Sequence, residues 1–299
     1  MVQPKSELES RGLINEQIDK IINFINLENF EDALAIGRSL LELSKNDPNV
    51  LSIMGMLTFK IGAYDDAVRY YRKVVKMRPN CALSNYNLAN SLNSVGQHDA
   101  AILRYKKAIR NKRNYADAFY ALGNVYSSVG NYKKAVMHYK EAIRMQPEFA
   151  EAHNNLGIAL TKLGRQDEAI DHYYRATRIK PDYSQAYHNL AVILNICGKN
   201  EQAINICLKS IKINPKFVDA YYSLGLIFGA LNRNEEAIQS FERGLKLVPD
   251  HIDANAGFFG TVGKEVPGWH IPMMNDDPRN QAYKEALVKT INELSLIHI

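Results

Sequence analysis

ADAFYALGNVYSSVGNYKKAVMHYKEAIRMQPEF, residues 116–149, is the stretch that decides the fold. The next 34 residues, 150–183, read AEAHNNLGIALTKLGRQDEAIDHYYRATRIKPDY, with equivalent residues at the same offsets. The position of Gly123 is filled by Gly55, Ala89, Gly157, Ala191 and Gly225. The position of Ala135 is filled by Ala33, Ala67, Ala101, Ala169, Ala203 and Ala237, and that of Pro147 by Pro79, Pro181, Pro215 and Pro249. A fixed period of this length is the signature of a solenoid.

Each unit reads as two amphipathic helices, A and B. Phe119, Leu122, Gly123 and Tyr126 form an i, i+3, i+4, i+7 stripe on helix A. Gly130 and Asn131 make the turn. Ala135, Val136, Tyr139, Ala142 and Ile143 share one face of helix B. Pro147 ends helix B, because proline lacks an N–H and clashes with the preceding turn. Gly123 and Ala135 are expected to let the two backbones approach closely. One such pair cannot bury its apolar faces alone, so neighbouring units must stack.

This pattern resembles the tetratricopeptide repeat, whose spacing W-x2-L-G-x2-Y…A-x3-F…P it follows. The resemblance covers about Ile14 to His251, seven units without an insertion. It implies an all-α fold, a right-handed α–α superhelix of about seven repeats. The first unit departs most, with Ile21 at the glycine position and Lys45 at the proline position, as a capping repeat does.

Composition bounds the function classes. The chain has 299 residues, 46% hydrophobic, with a formal charge of +5. That charge is mild and lacks the broad basic field of a nucleic-acid binder. The run RYKKAIRNKRN, 104–114, reads as the solvated face of a helix B. Cys81, Cys197 and Cys207 form no C-x-x-C pair, so neither a disulfide framework nor a zinc site is suggested. The eight histidines show no metal-ligand spacing on one helix. No H-E-x-x-H, G-x-S-x-G or P-loop is present. The opening MVQPKSELESRGL is no secretory signal, and no stretch approaches the roughly 20 apolar residues of a membrane span. An intracellular protein of the cytoplasm or nucleus is expected, with no nucleic-acid, membrane or metal partner.

In chain order, residues 1–13 are polar. The solenoid with its capping helix is expected over 14–266. The repeats begin near Ile14, Pro48, Ala82, Ala116, Ala150, Ser184 and Val218. An additional helix A is suggested at 252–262, with Ala254, Phe258 and Val262 on one face. The period is then lost at GKEVPG. Residues 267–299 are expected to open another domain. Asp277-Pro278 has the form of a helix start, followed by the stripe Ala282, Tyr283, Ala286, Leu287, Ile291 and Leu294. The chain stops with a helix and no strand after it. Either this helix caps the solenoid, or the sequence is the N-terminal part of a longer protein.

The resemblance places helix A residues on the concave face. Those positions carry Tyr86, Asn87, Asn90, Tyr120, Asn124, Asn154, Asn155, His188, Asn189 and Tyr222. Side-chain amides offer both donor and acceptor to a peptide backbone. Such a face suits an extended segment of a protein partner. Asn87, Asn155 and Asn189 stand in the register of the asparagine ladder of O-linked N-acetylglucosamine transferase, whose repeats these units resemble. The bland alternative is a common solvated asparagine in N-L-G or N-L-A. The lysines by which chaperone-binding repeats hold a C-terminal carboxylate are replaced here by Tyr86, Tyr120 and Asn154.

The last residues carry a second resemblance. Trp269, His270, Met273, Met274, Asn275, Asp276, Arg279, Asn280 and Tyr283 read W-H-x-x-M-M-N-D-x-x-R-N-x-x-Y. This is similar to the opening of the α/β catalytic domain of protein arginine methyltransferases, in the branch with repeats ahead of that domain, protein arginine N-methyltransferase 9. The array here is longer than that branch carries. The resemblance implies that Arg279 binds the methionyl carboxylate of S-adenosylmethionine, that Met273 packs on the cofactor and that His270 touches it. Asp276 and Tyr283 match motif positions near the active site. A capping helix with an arginine near its start is the simpler alternative. No strand with a glycine-rich turn follows, so this chain alone should hold no cofactor tightly and carry no catalytic residue. Three readings result: the substrate-recruiting arm of a methyltransferase, a non-enzymatic adaptor, and the arm of a glycosyltransferase.

Overall fold

The computed structural model describes residues 7–265. Among the described residues there are fifteen α-helices and no strand. The A helices are α1 (Glu7–Asn26), α3 (Pro48–Lys60), α5 (Ala82–Ser94), α7 (Ala116–Ser128), α9 (Ala150–Lys162), α11 (Ser184–Ile196) and α13 (Val218–Ala230). The B helices are α2 (Phe30–Leu43), α4 (Tyr64–Met77), α6 (His98–Asn111), α8 (Tyr132–Met145), α10 (Gln166–Ile179), α12 (Asn200–Ile213) and α14 (Asn234–Leu247). The additional A helix, α15, spans Ile252–Glu265. The first helix starts at Glu7, inside the stretch expected to be a polar lead.

The chain divides after Ile179 into two compact units, the first with α1 to α10 and the second with α11 to α15. Within each unit every A helix packs along its own B helix, and each B helix packs on the next A helix. Successive A helices also touch, as α3 with α5, α5 with α7, α7 with α9, and α11 with α13. Within each unit, successive B helices make no comparable contact among the described residues. The A helices are therefore the inner layer of each unit, and the B helices the outer layer. This is an α–α solenoid packing.

The A-to-B turns share one construction. Gly62, Gly96, Gly130, Gly164 and Gly198 have φ between +73° and +82°. The following N–H reaches back to close a Schellman turn, as in Ala63 to the Thr58 carbonyl at 2.8 Å and Asn131 to the Tyr126 carbonyl at 2.8 Å. Glu28 and Asn232 adopt the same left-handed conformation without glycine. The B helices stop two residues before Pro79, Pro147, Pro181, Pro215 and Pro249. A side chain six residues beyond the proline then holds its carbonyl. Asn85 does so at 3.0 Å, His153 at 3.1 Å, Tyr221 at 3.2 Å and Asn255 at 2.9 Å.

The small residues of helix A have a different reason from the expected one. A Cβ at Gly123 would lie 2.6 Å from the Tyr139 ring. One at Gly55 would lie 2.8 Å from Tyr71, at Gly157 2.7 Å from Tyr173, and at Gly225 2.6 Å from Phe241. The glycine makes room for an aromatic ring of helix B, not for backbone contact. Alanine replaces it twice: at Ala191 the residue in the ring's register is the small, fully buried Cys207, whereas at Ala89 the buried ring of Tyr105 is kept. The alanines at the Ala135 position of helix B, from Ala33 to Ala237, are all fully buried.

Candidate functional site

The inner face of α5, α7 and α9 gathers the densest set of polar side chains that the sequence singled out. Asn90 and Asn124 occupy the same position of successive A helices. The Tyr105 hydroxyl donates to Asn90 Oδ1 at 2.5 Å, and the Tyr139 hydroxyl donates to Asn124 Oδ1 at 2.8 Å. Both tyrosines are buried, and burial raises both phenols above their ordinary range, so they remain neutral donors. Because the oxygen of each amide is claimed by a tyrosine, the Nδ2 group of each is turned away from it. One N–H of each Nδ2 faces the hydroxyl of the tyrosine one turn earlier, Tyr86 for Asn90 and Tyr120 for Asn124. Each amide is thus fixed between two tyrosines, with its second N–H left over on consecutive helices.

Asn155 does different work. Its Nδ2 donates to the Tyr120 hydroxyl and to Asn124 Oδ1, each at 3.0 Å. Its Oδ1 accepts from Asn154 Nδ2 at 3.1 Å, and Asn154 itself is only 2% exposed. Asn155 therefore ties α9 to α7 within the scaffold. Asn87 is hydrogen-bonded to Tyr71. Tyr86 and Tyr120 are half-buried, Tyr86 against Tyr105 and Tyr115, Tyr120 against Tyr139 and Phe149. Burial raises both phenols, so neither ionises near neutral pH.

In the second unit, a recess of about 340 Å³ opens on α11, α13 and α15. His188, Val192, Asn195, Asp219, Tyr222 and Asp253 are among its walls. His188 packs edge-on to Phe217, and burial holds it below the ordinary histidine range. Tyr222 lies beside Phe241 and His251, and the His251 ring meets Asp219 at 3.3 Å. Asn189 accepts from Gln185 at 3.5 Å. Asn87, Asn90, Tyr120, Asn124 and Asn155 are thus placed together in the first unit, and His188, Asn189 and Tyr222 belong to the second.

The residues matched to S-adenosylmethionine (His270, Met273, Asp276, Arg279 and Tyr283) lie outside the described residues, as does all of 267–299. Among the described residues no group of three or more His, Cys, Asp or Glu could hold a metal ion. No helix there is long and apolar enough to cross a membrane.

The tetratricopeptide repeat family matches residues 49–81, 120–184, 172–205 and 218–251, and a further repeat of the same type matches 89–130. These segments together take in more than half of the chain. The chain is a tetratricopeptide repeat protein. Among solved structures, YrrB, described as a tetratricopeptide repeat protein with an unusual peptide-binding site, is 26% identical with a TM-score of 0.53. That match covers 62% of this chain and 96% of YrrB. MamA is 29% identical with a TM-score of 0.51, over 54% of this chain and 94% of MamA. The Cut9–Hcn1 structure, 17% identical, matches 81% of this chain and 48% of its own with a TM-score of 0.65, which shows the fold alone. No curated protein matches the chain.

The tyrosine wiring of this tetratricopeptide repeat protein was not read from its sequence, yet a signal was present. Asn and Tyr fifteen residues apart recur in two consecutive repeats. The next repeat has Ile158 in place of the asparagine, and there Tyr173 turns to Thr161 at 3.5 Å.

Proposed function

We propose that the inner face of α5, α7 and α9 holds an extended segment of a partner protein, with Asn90 and Asn124 donating to its backbone carbonyls. The carrying observation is the pair of amides whose oxygens are fixed by Tyr105 and Tyr139. A donor oriented in advance loses less freedom on binding than a rotating one. The likeness to YrrB, a protein described as having a peptide-binding site, supports the reading. Asn90→Asp with Asn124→Asp keeps the acceptor for each tyrosine and removes each outward donor. A non-acidic peptide, selected on the full chain from a random display library, should bind this variant roughly tenfold or more weakly, from about 1 kcal/mol per lost hydrogen bond. Unchanged affinity with intact helical content would contradict the assignment.

A second reading rests on the W-H-x-x-M-M-N-D-x-x-R-N-x-x-Y spacing of residues 269–283. On it, the repeats recruit substrates for an S-adenosylmethionine-dependent arginine methyltransferase whose catalytic core lies beyond this chain. The repeat face then selects which protein is presented, and the chain by itself transfers no methyl group. Reading the transcript past the codon for Leu294 tests this. A strand and a glycine-rich turn soon after would support the recruiting arm. A stop codon after Ile299 in independent material would leave an adaptor without catalysis.

A further inference from the structure

The outer layer of the first unit carries its own surface. Residues 64–145 hold fifteen Lys and Arg against five Asp and Glu, a net +10, whereas the whole chain has +5. The helical repeat stacks these charges in columns. Arg72, Lys106 and Lys140 share one position of α4, α6 and α8, and Lys76, Arg110 and Arg144 share another. Six of these six are exposed, and Lys133 is exposed at the start of α8. Arg144 meets Glu141 at 2.9 Å and Lys140 meets Glu168 at 3.9 Å. Arg72, Lys76, Lys106, Arg110 and Lys133 have no ion-pair partner among the described residues.

A cation in the last turn of a helix answers the helix dipole, which accounts for Lys76, Arg110 and Arg144. It does not account for Lys106, in mid-helix, or for α8. The B helices α2, α4, α6, α10, α12 and α14 each carry acidic residues in the first turn. Helix α8 has none and opens with Lys133 and Lys134, against its own dipole. Amid these charges two large apolar side chains face outward at the same position of adjacent repeats. Leu103 is 68% exposed and Met137 is 54% exposed. A solvated basic face does not need them. A local rule broken on a surface, with apolar anchors beside it, marks a place where something binds.

We propose that the outer face of α6 and α8 docks an acidic segment of a partner protein that also carries aliphatic side chains. Its carboxylates would meet Lys106, Arg110, Lys133 and Lys140, and its apolar side chains would cover Leu103 and Met137. The flexible thioether of Met137 suits such contact. Single-stranded nucleic acid is disfavoured as the occupant, because it is held by aromatic stacking. Of the tyrosines of these two helices, Tyr105 and Tyr139 are buried in the core, and Tyr132, at the start of α8, is a single half-buried ring that offers no run of stacking platforms. This surface is separate from the inner face and does not depend on it.

The test is a random peptide library displayed against the full chain, with each selected peptide measured on three variants. Acidic peptides bearing Leu, Ile, Met or Phe should be enriched, and their affinity should fall steeply with added salt. The combination Lys106→Gln, Arg110→Gln and Lys133→Gln should weaken them roughly tenfold or more. Leu103→Ser with Met137→Ser should weaken them as well, and Asn90→Asp with Asn124→Asp should leave them unchanged. Absence of acidic peptides, or acidic peptides indifferent to the glutamine variant, overturns the proposal. So does a labelled oligouridylate or a phosphatidylserine vesicle that needs the same cations when no acidic peptide does. The replaced side chains are exposed, and an unaltered helical circular dichroism spectrum confirms that a lost interaction is not a lost fold.

Discussion

A single glycine column explains much of how the repeats close. Gly123 and Gly157 are small because Tyr139 and Tyr173 fill the space where a Cβ would stand, at 2.6 and 2.7 Å. Gly157→Ala should therefore destabilise the protein, at the low end of about 1–3 kcal/mol because Ala89 is accommodated beside Tyr105 in another repeat, read by chemical denaturation. Combining it with Tyr173→Cys should cost less than the two single changes added, since Ala191 and Cys207 already coexist at these positions. Additive costs would place the strain elsewhere. The glycine column was legible in the sequence as a periodic small residue, but its partner was not. Periodicity reports which face is apolar, and the ring that reaches that glycine comes from the next helix. The same limit applies to the inner face. The sequence places Asn87 and Asn155 in a ladder facing a peptide, yet Asn155 is bonded to Tyr120 and Asn124. The donors left over are those of Asn90 and Asn124, and only the tyrosine geometry picks them out.

At the scale of the helix and its turn, the left-handed residue is the sensitive point. Glu28 stands at φ 57° where five other repeats use glycine. Glu28→Gly should stabilise the protein by about 1 kcal/mol, because the strained conformation costs that much for a residue with a Cβ. A fall in stability would mean that the glutamate side chain contributes something the turn needs. Between α9 and α10 a pair of histidines makes stability depend on pH. His153 Nε2 donates to the Pro147 carbonyl, so its Nδ1 is the acceptor for the His172 Nδ1–H at 2.9 Å. Both rings are neutral in this arrangement. Burial, then the neighbouring His153, Arg175 and Lys140, push His172 down to about 4, with Asp171 opposing. Burial, with Lys106 next, pushes His138 down to about 4. Since the folded values lie below the ordinary 6.5, the stabilisation is complete above about 6.5 and is lost as pH falls toward 4. The melting temperature should drop by several degrees between pH 7.5 and 5. His172→Gln should flatten that dependence, and an unchanged slope would remove the pair from the account.

At the scale of the whole molecule, the array is a set of units that stabilise one another only through neighbours. The first pair, α1 and α2, covers α3 with Ile21, Ile25 and Leu40 against Val50, Ile53, Met54 and Leu57. Removing residues 1–46 should uncover that face, lower the melting temperature and raise light scattering, with a loss on the order of several kcal/mol from the buried aliphatics. A truncated chain as stable and as monodisperse as the full one would show that the first repeat is no cap. The repeat count and the A and B helices were readable because the same residues recur at each offset, whereas the division after Ile179 has no matching break in the 34-residue period. The first unit presents an inner layer of amides and tyrosines and an outer layer of cations, the two faces proposed to bind different segments. The most direct measurement is photo-crosslinking of a selected non-acidic peptide carrying a benzophenone, with adducts mapped by mass spectrometry. The account predicts adducts on the inner residues of α5, α7 and α9, around Asn90 and Asn124. Adducts confined to the outer helices α4, α6 and α8 would contradict it.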